Sequence, residues 1–253
     1  MSVRTFATDT SIVLERELRP VTRDPFSVVF SMIQPLIFLG LFTPLLAGVT
    51  GASTGASLQA FVPGILVMSC LVGTSMTGSN LQMEMKSGSH ERLLVSPLGR
   101  PAQLVGRALK EIVPVLVQAL IIVAVTLPFG FRVAPAGLLV GLVLLAVTAV
   151  GLGSLSYSLA LAVREQEWAF WGVQQTLLFP LLLLAGVLLP LDSGPGWMRA
   201  AASVNPLHYL VDAERALFSG DVASTTVAAG LGAAVATAVL GVWVGTRAMA
   251  RAS

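Results

Sequence analysis

Few side chains in this 253-residue sequence could do chemistry. There are 13 Asp and Glu, 15 Lys and Arg, two His (His90 and His208) and one Cys (Cys70). One cysteine excludes a disulfide framework and a cysteine-based zinc site. A P-loop needs Gly-x4-Gly-Lys followed by Ser or Thr, because its backbone amides and lysine must grip phosphates together. Lys86 is followed by Ser87 but preceded by Met85, and Lys110 is followed by Glu111, so neither fits. No cofactor is expected on this chain, and any ATP and magnesium belong to a partner. What remains are isolated amides in apolar surroundings and one charged stretch between Glu84 and Lys110.

The elements that carry these residues are apolar. Hydrophobic residues make up 55% and charged residues 11% of the chain, against about 25% charged in an ordinary soluble domain. Mean hydropathy is +0.84. This excludes a disordered chain, a nucleic-acid-binding domain and an ordinary cytosolic enzyme. Crossing a bilayer takes roughly 20 apolar residues per helix, and the charge-free intervals supply them. The interval between Asp24 and Glu84 holds two helices with a turn at Gly51–Gly55. Four further intervals bring the expectation to six, near 27–48, 59–82, 111–129, 136–162, 168–190 and 223–246. Six crossings put both termini on one side. Twelve basic residues then share that side, and Arg132, Arg199 and Arg215 lie on the other. That bias predicts cytoplasmic termini. The first apolar run begins at Phe26, after a charged lead too long for a cleavable signal.

Four stretches are not spans. Residues 6–24 alternate Ile12, Leu14 and Leu18 with Glu15, Arg16, Glu17 and Arg19. They read as an interfacial helix with Arg16, Arg19 and Arg23 toward headgroups, or else as a solvated tail. Pro20 is expected to end that helix and Pro25 to open the first span. Loop 83–110 carries a short helix at Glu91-Arg92-Leu93-Leu94, starting at Ser87, Gly88 or Ser89, with Pro97 beyond its end. A charged helix there suits docking to a partner, although topology alone could have placed its charges. Residues 191–222 hold two short helices, one from Pro195 to Ser203 and one capped by Asn205-Pro206 and stopped by Gly220. Leu207, Leu210, Val211 and Leu217 are expected to face the bundle, and Asp212, Glu214 and Arg215 water. This pair forms a re-entrant lid or an ordinary surface loop. Arg164–Glu167 is a tight connection, and Trp168 and Trp171 beside it read as interfacial anchors.

Catalysis needs reactive groups gathered in one place, and the span centres hold none. Coupled transporters usually mark their path with intramembrane charge, so its scarcity also weighs against a secondary transporter. Gln34, Gln174 and Gln175 are the best candidates for a substrate path, with Phe38 and Asn80 near them. Interhelical hydrogen bonds explain most other polar residues, and Cys70 reads as packing. Gly137-x3-Gly141 and Gly241-x3-Gly245 allow close helix contact.

The charged loop also carries a resemblance. Glu84, then Ser87-Gly88-Ser89-His90-Glu91-Arg92-Leu93-Leu94-Val95-Ser96-Pro97-Leu98-Gly99-Arg100, resembles the cytoplasmic signature of ABC-2 type permeases, with His90 a mild departure. Gln34-Pro35-Leu36-Ile37-Phe38 is similar to the family's first span. Gly186-Val187-Leu188-Leu189-Pro190-Leu191, Pro195-Gly196-Trp197-Met198-Arg199 and Asn205-Pro206-Leu207, with Leu210-Val211-Asp212-Ala213 and Arg215, are similar to its fifth span and external helices. The match runs from about residue 12 to 246, and drug-export permeases of the daunorubicin-resistance type are the nearest subgroup.

The resemblance implies one all-α transmembrane domain over 1–253. It divides into an interfacial helix at 6–24, spans 1–2 at 27–82, a coupling loop at 83–110, spans 3–5 at 111–190, external helices at 191–222 and span 6 at 223–246. It implies two copies of an ATP-binding subunit, a second permease chain (identical or homologous), the plasma membrane, and a small amphipathic or lipid-like substrate; nucleic acid is not expected. Glu84, Gly88, Glu91, Arg92, Leu93, Ser96, Pro97 and Arg100 would seat the ATPase, and Arg16, Glu17, Arg19 and Arg23 would brace it. Polysaccharide or glycolipid export is the alternative within the class. A non-transporting scaffold or sensor is the alternative outside it.

Overall fold

A computed structural model describes residues 3–23, 25–95, 98–164, 166–187 and 194–251. Every regular element among them is helical. Helix α1 (Val3–Arg23) leads into α2 (Pro25–Ser31) and α3 (Ile33–Thr50). Pro35 in the first turn of α3 has no N–H to offer the carbonyl of Ser31, and the chain breaks there at Met32. Gly51, with φ of +68°, stops α3 in the left-handed conformation that glycine tolerates. The Ser53 hydroxyl then accepts from the Ala56 N–H and opens α4 (Thr54–Lys86). The turn is therefore residues 51–53, and the second span starts five residues earlier than the charge pattern suggests.

Helices α5 (Ser89–Leu94), α6 (Arg100–Lys110), α7 (Ile112–Thr126), α8 (Pro135–Ala162) and α9 (Glu167–Leu183) follow. The chain closes with α10 (Gly196–Ser203), α11 (Pro206–Phe218) and α12 (Thr225–Arg251). Five helical segments are long and apolar enough to cross a membrane: Val29–Val49, Thr54–Lys86, Arg100–Phe129, Pro135–Ala162 and Thr225–Arg251. The chain is an all-α, multi-pass membrane protein. The expected span at 168–190 is the 17-residue α9, about 25 Å long at 1.5 Å per residue. Its C-terminal turn gives way to Gly186 at φ +71°, and residues 188–193 lie outside the described residues.

Helix α4 is the hub. Phe61 to Leu71 are all buried, as expected of a helix apolar on every face, and α8, α3, α11 and α7 pack around it. Helix α8 also pairs along its length with α12. Glycine sets that approach and the one to α11: a Cβ at Gly241 of α12 would lie 2.2 Å from the Gly151 carbonyl oxygen of α8, and one at Gly137 of α8 would lie 1.9 Å from that of Leu217 on α11. Outward, α2 and α3 present Val29, Ile33, Ile37, Leu41, Leu45 and Val49, all exposed, which suits hydrocarbon.

Three expectations are corrected. Helix α1 runs through Pro20 to Arg23; Arg16, whose carbonyl loses its N–H partner to the proline ring, is exposed and can be solvated there. The buried face of α1 is Asp9, Thr10 and Val13 with half-buried Glu17, whereas Ile12 is exposed. Residues 100–110 are a helix, not a loop.

Replacing Gly241 by Leu forces side-chain atoms into the α8 backbone. Overpacking of this kind costs about 1–3 kcal/mol or more, so the variant should melt at lower temperature in detergent. Gly232→Ala on the same helix, with nothing within 4 Å of the added carbon, should melt like the parent. Equal melting of both variants would show that α8 and α12 do not meet at Gly151.

Candidate functional site

At the end of the bundle that holds both termini, charged groups are buried together. Asp9 on α1 accepts from the Gly99 N–H at 3.0 Å, at the start of α6. Val13 fits against Gly106, where a Cβ would lie 2.8 Å from its own. This lays α1 along α6 and carries Glu17 inward. Arg107 on α6 is 3% exposed. Its guanidinium meets Glu17 at 3.6 Å, donates to Glu84 on α4, and sits 5.4 Å from the ring centre of Tyr157 on α8. Lys110 reaches Glu17 at 3.6 Å and Glu111 at 3.4 Å. Three carboxylates and two cations thus join α1, α4, α6, α7 and α8. A cation with one hydrogen-bonding carboxylate, a second carboxylate at 3.6 Å and an aromatic face can tolerate this burial; an unpaired one could not.

The proposed ATPase-coupling residues divide around this cluster. Glu84 turns inward to Arg107. Gly88, at φ +67°, makes the reversal between α4 and α5. Leu93 is buried, and its carbonyl accepts from Gln103 at 3.3 Å. Arg92 and Arg100 are exposed. The Glu91 side chain, Ser96 and Pro97 lie outside the described residues. Of the α1 residues, Arg16 donates to Ser89 on α5 at 3.3 Å, Arg19 pairs with Glu15 at 2.8 Å, and Arg23 is exposed. Glu17 belongs to the buried cluster.

The path candidates converge elsewhere. Gln34 and Phe38 of α3 and Gln174 and Gln175 of α9 line one cavity of about 310 Å³ with Met68, Val72, Ser75 and Met76 of α4. Asn80 does not line it; it sits on an exposed face of α4. Trp171, expected as a boundary anchor, is half-buried and lines the same cavity. It packs edge-on against Phe170 at 5.6 Å, while Trp168 is exposed. A second cavity of about 290 Å³ lies on the other side of α9 and shares Ser75, Gln174 and Leu178. The Gln174 Oε1 is buried without a hydrogen-bond partner among the described residues.

Helix α9 is therefore held at its ends. Phe170 fills a notch that Gly78 of α4 leaves open, and Lys86 pairs with Glu167. At the far end the Leu181 carbonyl accepts from Asn205 at 2.8 Å and the Gly186 carbonyl from Arg215 at 2.7 Å. Arg215 also donates to the Ala60 carbonyl at 3.2 Å, and Gln59 binds both the Arg132 and Phe218 carbonyls. These bonds tie α4, α9 and α11 together opposite the termini. Asn205 caps α11 and Gly220 follows its last turn at φ +95°, as the sequence predicts. One expectation fails on α11. Glu214, assigned to water, is fully buried, because α4, α8 and α12 all pack on this helix.

The ABC-2 type transporter family model matches residues 8–218, and the chain belongs to that family. It is 29% identical over 198 residues to the daunorubicin resistance ABC transporter permease protein DrrB1 of Streptomyces coeruleorubidus, covering 78% of this chain and 70% of that protein. It is 26% identical over 227 residues to the probable doxorubicin resistance ABC transporter permease protein DrrC of Mycobacterium tuberculosis, covering 87% and 80%. A probable multidrug ABC transporter permease of Escherichia coli, YbhR, is 27% identical over 165 residues, covering 63% and 44%. The chain is a transport permease.

Arg107→Met strands Glu84 without its cation and leaves Glu17 only Lys110. Breaking one side of a buried pair costs about 3–5 kcal/mol, so the variant should lose thermal stability and expose α1 to protease. Adding Glu17→Gln and Glu84→Gln should recover part of that loss. A triple variant no better than the single one would show that the charges are not coupled.

Proposed function

We propose that the chain forms half of the membrane pathway of an ATP-driven exporter of amphipathic or lipid-like compounds. The supporting observation is the cavity between α3, α4 and α9. Its walls are apolar and aromatic, with amides from Gln34, Gln174 and Gln175 among them, the pattern of a site that orients an apolar molecule by a few hydrogen bonds. At about 310 Å³ it is at the lower end of the range for small-molecule sites, so a second permease chain, identical or homologous, supplies the rest of the enclosure. The names of the drug-resistance relatives favour a drug-like compound over a polysaccharide.

In this reading α9 makes a sixth crossing of the plasma membrane and the termini are cytoplasmic. Helix α5, with Arg92 exposed, docks one of two ATP-binding subunits, which hold the ATP and magnesium. Movement of α5 reaches the bundle through Glu84 and Arg107, and α10 and α11 shape the exit.

Co-purification with an ATP-binding subunit, followed by ATP-dependent export of doxorubicin from proteoliposomes, tests the reading. Failure of any such subunit to bind would end it. Glu91→Ala/Arg92→Ala should insert normally yet lose transport; normal transport would remove α5 from the coupling role. Gln174→Leu and Gln175→Leu should alter the ranking of transported compounds and leave ATPase binding unchanged. An unaltered ranking in both would remove the cavity from the path.

A further inference from the structure

Glu214 on α11 is 0% exposed, and neither carboxyl oxygen has a hydrogen-bond partner among the described residues. Its position depends on a missing side chain: a Cβ on Gly141 of α8 would lie 2.6 Å from Oε2. One turn earlier, Gly137 admits the Leu217 backbone in the same way. The Gly137-x3-Gly141 pair is thus a groove in which α11 lies, with the Glu214 carboxyl pressed against its floor.

Among the described residues no cation faces that carboxyl. On α4 the titratable neighbour is the Cys70 thiol, which donates to the Leu145 carbonyl of α8. The one titratable group of α8 is Tyr157, which lies beside Arg107 at the other end of the bundle. Those of α12 are Arg247, stacked on Trp243, and Arg251, both in its last two turns. On α10 Arg199 is exposed. On α11 itself Arg215 is engaged by Asp212 and two carbonyls, His208 Nε2 lies 3.6 Å from Asp212, and Tyr209 donates to the Ser203 carbonyl. An ionised carboxylate so placed would be buried without a counter-charge, a state a protein avoids by keeping the group protonated.

We propose that Glu214 is a proton-binding site that latches α11 into the glycine groove of α8: it carries a proton while α11 is seated and loses it when α11 lifts. Burial pushes the carboxyl up to about 8, from about 4.3 for a free glutamate. The seated state therefore holds one more proton than the lifted or unfolded state between those limits, and its stability falls as pH rises through that window. The latch belongs to the α8–α11 contact and does not depend on which compound the chain moves.

The test uses the full chain in lipid nanodiscs. Its melting temperature should fall from pH 6 to pH 9, and the profiles of Glu214→Gln and Glu214→Met should be flat. Cys70, buried and donating to the Leu145 carbonyl, reports lifting through alkylation by N-ethylmaleimide. Between pH 7 and pH 9 the deprotonated fraction of a group at pH 8 rises about tenfold, so the parent's alkylation rate should gain about tenfold over that of either variant. Profiles parallel to the parent's in both variants would overturn the latch. The infrared carboxylic-acid band of the parent should exceed that of Glu214→Met at pH 7 and lose the excess by pH 9, and equal bands in parent and variant at pH 7 would equally overturn the proposal.

Discussion

The placement of Arg107 constrains the whole lower half of the bundle. A guanidinium 3% exposed at a membrane boundary must bring its counter-charges with it, and those sit on α1 and α4. Helix α1 is thereby locked to α6 by Glu17 and Asp9 as well as by Val13. Because α6 runs almost directly into α7, and α4 and α8 close the cluster through Glu84 and Tyr157, α1 and the long helices form one unit. A force applied to α5 meets α4 at the glycine reversal of Gly88, two turns or less from Glu84, and so enters this unit at a buried ion pair.

Such pairs are costly to leave half-made and cheap to replace whole by apolar packing. They therefore contribute more to fixing how helices are registered than to net stability. Close helix contacts elsewhere in the bundle are fixed by glycine. The α8–α12 and α8–α11 contacts have no room for a Cβ at Gly151, Gly241, Gly137 or Gly141. Dispersion between closely approached backbones is what remains when lipid removes the hydrophobic drive between spans.

Much of this was legible in the sequence. Charge-free intervals located the long apolar helices, and Asn205-Pro206 and Gly220 marked α11, because capping is local. Gln34, Gln174 and Gln175 were recognisable as amides within otherwise apolar helices, and α3 and α9 bring them to one cavity. Helix α6 was hidden because Arg107 and Lys110 look like loop charges until Glu17, ninety residues away, is placed beside them. Asn80 failed because it follows Met76 by one turn on the same stripe of α4, and the cavity ends at Met76. Glu214 failed because the polar face of an isolated α11 was equated with its wet face, whereas three other helices cover it.

The two ends of the bundle thus handle buried ionisable groups in opposite ways. Near the termini Asp9, Glu17, Glu84 and Glu111 each have a cation or a hydrogen-bond donor in reach, and pairing resists separation of the helices. At the other end Arg215 satisfies carbonyls of α4 and of the turn after α9, while Glu214 one residue earlier is pressed against Gly141 with no hydrogen-bond partner among the described residues. Helix α9 hangs between these ends with cavities on both flanks. Its own middle has little packing to resist displacement, so its position follows from the two anchored ends, and a change at either one moves the walls that Gln174 and Gln175 present to the cavity.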